Sequence, residues 1–87
     1  PNSLNNQSSP YLQELSEQPV DWQPWGKAAF QLAKQTDKPV IVSIGYSSCH
    51  WCRQMSRENY EDSYVASIMN RHFVCIKVDR EERPDLD

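Results

Sequence analysis

Residues 40 to 52 read Val40-Ile41-Val42-Ser43-Ile44-Gly45-Tyr46-Ser47-Ser48-Cys49-His50-Trp51-Cys52. Apart from Ser43, the first five are β-branched and apolar, the pattern of a strand buried on both faces in a parallel sheet. Gly45 to Ser48 supply a turn, and Cys49 follows at once. A helix that opens at a Cys-x-x-Cys directly after a buried strand has a chemical logic. Its N-terminus carries unpaired N–H groups and a partial positive charge, which favour a thiolate on Cys49. Cys52 lies three residues on, within reach of a mixed disulfide formed at Cys49. In this reading Cys49 is the exposed nucleophile, Cys52 the shielded resolving thiol, and thiol–disulfide exchange the reaction. His50, when protonated, adds positive charge beside the thiolate, and Trp51 offers either a partner-docking surface or packing.

The flanks of this run have readable elements. Upstream, Gly26 to Gln35 are good helix formers, with Trp25, Ala29, Leu32 and Ala33 on one face. Asp37-Lys38-Pro39 ends that helix, because a residue before proline is pushed out of the α region. Residues 1–23 are polar and broken by Pro10 and Pro19, which predicts an irregular N-terminal arm with one helical turn around Tyr11 to Leu15. Downstream, the chain reads as helix from Cys52 to about Tyr60. A further helix, capped by Asp62 or Ser63 and stopped near Asn70, places Val65, Ile68 and Met69 on its apolar face. Phe73 to Val78 is a second strand, closing at Asp79. Two strands joined by a long helical crossover are expected to run parallel, with a right-handed connection. This is an α/β pattern over residues 24–87, with a charged loop from Arg80 onward.

Composition narrows the function classes. The chain has 87 residues, room for one domain, with 38% hydrophobic and 24% charged residues. A net charge of -3 argues against nucleic acid or an anionic membrane as partner. No apolar run approaches the roughly 20 residues that cross a bilayer. The first residue is Pro1, which points to a processed or trimmed chain. Three cysteines make an odd count, unlike the even sets of small secreted scaffolds. A Cys-x-x-Cys plus a lone cysteine fits a reducing compartment, so a cytoplasmic location is expected.

Competing readings of the same residues stay open. Cys49, Cys52 and His50 or Cys75 are zinc-ligand types, which keeps a small metal-binding module in play. No second Cys-x-x-Cys or His pair completes a tetrahedral set, so the expectation is no metal and no cofactor. Arg53 after Cys52 argues against covalent haem attachment. Cys75, mid-strand among apolar neighbours, reads as a buried structural thiol. Trp22 and Trp25 read as core anchors, His72 as a helix-end residue, and Asp79 to Arg83 as a solvated charged loop.

The segments Ser9-Pro10-Tyr11-Leu12, Pro19-Val20-Asp21-Trp22-Gln23-Pro24-Trp25-Gly26, Lys38 to Cys52 and Ile76-Lys77-Val78-Asp79-Arg80-Glu81-Glu82-Arg83-Pro84-Asp85 together closely resemble one family. It is the N-terminal domain of the spermatogenesis-associated, thioredoxin-like proteins. The resemblance implies a thioredoxin-like fold, here truncated, normally followed by a large helical, glycosidase-like toroid that would be a partner domain in the full-length protein. It implies a dithiol at Cys49 and Cys52, tuned by His50 and Trp51, with protein thiols and disulfides as partners. The chain departs from the pattern in places. Arg53 stands where the family has a second histidine. Ser43 stands where thioredoxins carry a buried acid, and Ser48 where they carry tryptophan. A full thioredoxin fold would continue with a strand led by a cis-proline, another strand and a helix. Without them the strand from Val40 keeps an open edge, and a homodimer or marginal stability is expected. Two functions from different classes follow: a dithiol oxidoreductase, or a non-catalytic recognition module attached to a larger enzyme.

Overall fold

The computed structural model describes residues 1–86; Asp87, the end of the expected 24–87 domain, lies outside them. Three parallel strands form one sheet in the order β1-β3-β2, with β1 at Gln23–Pro24, β2 at Val40–Gly45 and β3 at Val74–Asp79. The α helices are α1 at Pro10–Glu14, α2 at Lys27–Thr36, α3 at His50–Met55 and α4 at Ser63–His72. The chain therefore has a small α/β fold of the thioredoxin-like kind.

Local chemistry sets the element ends. Ser9 caps α1 by accepting the Leu12 N–H, and Pro10 occupies the first turn, where its missing N–H is harmless. Helix α2 ends at Asp37, which takes left-handed geometry at φ 54°, while the Lys38 N–H closes back on the Ala33 carbonyl at 3.0 Å. Asp62 caps α4 by accepting the N–H groups of Tyr64 and Val65. Between α3 and α4 the chain widens into a π turn at Ser56–Tyr60, closed by the Glu61 N–H on the Ser56 carbonyl at 2.9 Å.

Strand β3 is the centre of the molecule, buried along its whole length. Its side chains alternate. Val74, Ile76 and Val78 join Ala29 and Ala33 of α2 in one core, while Cys75 belongs to a second core with Leu4, Leu12, Leu15, Val20, Trp22 and Ala66. The doubly buried strand is thus β3. The expectation that β2 is buried on both faces is corrected: it is half-buried, with Val42 exposed, and it lies at the sheet edge, as its expected open edge requires.

The residues of the N-terminal arm are organised more than their composition suggests. The arm holds 3-10 turns at Ser3–Asn6 and Leu15–Glu17 beside α1, and its chain leads into β1. Asn2 pins it, donating from Nδ2 to the carbonyls of Leu15 at 3.0 Å, Gln18 at 3.3 Å and Val20 at 3.0 Å. Two apolar assignments also change. Trp22 is fully buried, but Trp25 is partly exposed and stacks edge-on with Phe30 at 5.1 Å. On α4, Ile68 is 42% exposed and the small Ala66 is the buried contact. A close helix-to-core approach accepts a methyl group there and leaves a longer side chain outside.

Candidate functional site

Strand β2 ends at Gly45, and the turn through Tyr46 to Ser48 delivers Cys49 to the N-cap of α3. The Cys49 N–H donates to the Tyr46 carbonyl at 3.1 Å, holding the turn closed. Arg53, one turn into the helix, reaches back through Nη2 to the Ser47 carbonyl at 2.9 Å. Arg53 thereby braces the turn that carries the dithiol.

Cys49 and Cys52 form a disulfide. The Cys49 Sγ also accepts the Cys52 backbone N–H at 3.1 Å, so one of the unpaired helix-start donors points at this sulfur. Such a contact stabilises a thiolate on Cys49 relative to a thiol. Both cysteines are half-buried, His50 is exposed in the first turn, and Trp51 stands 64% exposed between them. Cys52 borders a groove of about 590 Å³ whose walls include Tyr11, Leu15, Pro19, Arg53 and Arg57. The arm therefore forms one wall of the site. Among the described residues no three His, Cys, Asp or Glu side chains cluster where they could hold a metal ion.

Beneath the dithiol lies a feature the sequence reading did not single out. Lys77, on β3, is 2% exposed and points to the same sheet face as Ser43 and Gly45 of β2. Its Nζ donates to Ser43 Oγ at 2.8 Å. The ammonium also sits 5.2 Å from the Trp22 ring centre, 5.1 Å from Tyr60 and 6.0 Å from Tyr11. Burial pushes its pKa down from 10.5 to about 8. Ser43, at the position of the thioredoxin acid, is thus the acceptor for a buried lysine.

Tyr11 completes this layer. Its hydroxyl is buried, with no hydrogen-bond partner among the described residues. Burial first, and then the Asp79 carboxylate, push its pKa up to about 12. A Cβ added at Gly45 would overlap the Tyr11 hydroxyl and meet the Cys52 sulfur at 3.0 Å, so glycine is what lets both atoms lie against β2. Asp79 is buried as well, accepting from Ser9 Oγ at 2.6 Å and from the Glu81 N–H at 2.9 Å. Asp79 therefore closes β3 and ties the arm to its end, and does not belong to the solvated stretch read over Asp79 to Arg83. Cys75 is free and buried, with its thiol pushed up to about 11 by desolvation. His72 closes α4.

All 87 residues match the family model Thioredox_DsbH, described as a protein of unknown function, DUF255. The chain belongs to this family. An uncharacterized protein of Caenorhabditis elegans is 54% identical over 86 residues, covering 99% of this chain and 12% of that protein. Spermatogenesis-associated protein 20 of Mus musculus is 49% identical over 99% of this chain, and that of Homo sapiens 47% over 100% of it. The chain spans about 11% of the length of either. The resemblance noted from the motifs therefore holds across the whole chain. No helix among the described residues is long and apolar enough to cross a membrane.

Proposed function

We propose that this Thioredox_DsbH domain is a thiol–disulfide oxidoreductase acting on protein disulfides, with Cys49 attacking and Cys52 resolving. The observation that carries the reading is the Cys52 N–H directed at the Cys49 sulfur within a closed Cys49–Cys52 disulfide. In the reducing direction, a Cys49 thiolate attacks a substrate disulfide and expels one substrate thiolate. The Cys52 thiolate then attacks Cys49 Sγ, closing the internal disulfide and releasing the second substrate thiol. Two electrons pass from the dithiol to the substrate, and the Cys52 proton leaves to water. The exposed Trp51 provides an apolar surface beside the attacking sulfur for an unfolded or extended partner. The unpaired Cys75 supports a reducing compartment such as the cytoplasm.

The test is equilibration with glutathione buffers, read by mass after alkylation, with Cys49→Ser and Cys52→Ser alongside. A reversible two-electron transition, lost in both variants, is expected. No transition at any poise would give the lead to a second reading, a non-catalytic recognition module. That reading draws on Ser43, which offers Lys77 an acceptor but gives Cys52 no carboxylate.

A further inference from the structure

Three features of the Cys52 side of the site have no part in the reaction as written above. The Tyr11 hydroxyl is buried and unsatisfied, an arrangement that native folds rarely leave without a reason. It shares the Cβ space of Gly45 with the Cys52 sulfur. The Lys77 ammonium, over the same tyrosine ring, is turned toward Ser43. In the disulfide state the Cys52 sulfur is bonded to Cys49, and the tyrosine hydroxyl does not hydrogen-bond to it. Opening the disulfide frees that sulfur to relax by a bond rotation.

We propose that the Tyr11 hydroxyl donates a hydrogen bond to the Cys52 thiolate during resolution, taking the part that a buried acid at the Ser43 position does not play here. The inference rests on the oxidoreductase reading and deepens it. In the mixed disulfide, Cys52 must lose its proton before it can attack. That proton passes to water in the groove that Cys52 borders. The resulting thiolate has Tyr11 as its nearby donor, and Lys77, behind the ring, adds positive potential while it is protonated, below about pH 8. The thiolate then bonds to Cys49 Sγ, the Cys49–substrate bond breaks, and the departing substrate thiolate takes a proton from water.

Other charged and titratable groups around Tyr11 are consistent with a donor role. Asp79 from β3, Tyr60 from the π turn and Glu14 from its own helix all raise its pKa, so the hydroxyl keeps its proton throughout the physiological range. A protonated phenol can donate to a thiolate; a phenolate could only repel it. A charge-assisted hydrogen bond corresponds to roughly a tenfold or larger change in the equilibrium it governs.

The experiment is stopped-flow release of thionitrobenzoate from Cys49, trapped as its mixed disulfide, in the wild type and in Tyr11→Phe, across pH 6 to 10. Tyr11→Phe is expected to slow release about tenfold near pH 7 and to move the pH midpoint up by about one unit. Identical rates and midpoints would overturn the proposal. A second measurement leaves Tyr11 intact. In Cys49→Ser protein with ¹³C-labelled tyrosine, the Tyr11 Cζ resonance is expected to shift as the Cys52 thiol titrates. A silent Tyr11 resonance through the Cys52 titration would equally overturn it. Failure of the oxidoreductase reading looks different: the wild type shows no reversible transition against glutathione, while the Cys49→Ser titration still reports the Tyr11–Cys52 contact directly.

Discussion

Replacing Lys77 by methionine removes an ammonium from the interior while keeping an unbranched chain in the same space. The magnitude follows from the pKa. Burial lowers the folded-state value from 10.5 to about 8, so between those limits the unfolded chain holds a proton that the folded one lacks. Stability then rises with pH through that window, because the unfolded state binds more protons. The full gain is about 3 kcal/mol at about 1.4 kcal/mol per pKa unit. Below pH 8 the whole penalty of the buried charge is present; above pH 10.5 it is gone. Three aromatic rings around Nζ oppose the penalty, and about 2 kcal/mol of cation–π attraction would shrink the window accordingly.

Two neighbours titrate in the opposite sense and must be separated. Cys75 rises from 9.0 to about 11 and Tyr11 from 10.0 to about 12, so each makes the fold less stable as pH climbs past its unfolded value. The quantity to follow is therefore the difference between wild type and Lys77→Met, both kept in the disulfide form. Urea unfolding at half-unit steps from pH 7 to 10 supplies it. Lys77→Met is expected to be more stable than wild type near pH 7, by up to about 3 kcal/mol, with the advantage shrinking steadily above pH 8. Parallel curves across the range would refute the account, since they would mean that Lys77 carries the same charge in both states.

Further outcomes follow from single contacts. Gly45→Ala is expected to lower stability by about 1 to 3 kcal/mol, because its methyl group overlaps the Tyr11 hydroxyl and presses on the Cys52 sulfur; adding Tyr11→Phe should recover part of that loss in the same urea titration. Asn2→Ala removes the side chain that bonds the carbonyls of Leu15, Gln18 and Val20, and a loss of about 2 kcal/mol is expected by thermal unfolding. Cys75, buried with a thiol near 11, should resist iodoacetamide at pH 8 in reduced, folded protein while Cys49 and Cys52 react; mass spectrometry before and after urea reads the difference.

The parts of the fold written in local chemistry were readable from the chain. Pro39 and Asp37 end α2, Asp62 caps α4, and the run from Val40 to Cys52 gives strand, turn and dithiol in order. What was not readable depends on contacts distant in sequence. Gln23–Pro24 is a strand only because it lies beside Ile76 and Lys77, and neither its length nor its proline announces one. The run Val74-Cys75-Ile76-Lys77-Val78-Asp79 alternates as a strand with one wet face would. The arm covers that face, and nothing within the six residues reveals it. The π turn that brings Tyr60 to 5.0 Å from the Trp22 ring likewise follows from packing.

The location of the unreadable residues is itself informative. Lys77 and Tyr11 each break a rule that cores ordinarily keep, as a buried cation and an unsatisfied hydroxyl, and Gly45 at the end of β2 leaves the space that the Tyr11 hydroxyl occupies. A core selected for stability alone would hold an apolar side chain at position 77 and a phenylalanine at 11. Lys77 and Gly45 share one sheet face and Tyr11 of α1 packs over it, its hydroxyl and the Cys52 sulfur both lying against Gly45, whereas the buried residues facing α2 are apolar. On the oxidoreductase reading proposed above, these departures are tied to the chemistry of the Cys52 sulfur, with Tyr11 and Trp22 of the arm packed around the Lys77 ammonium.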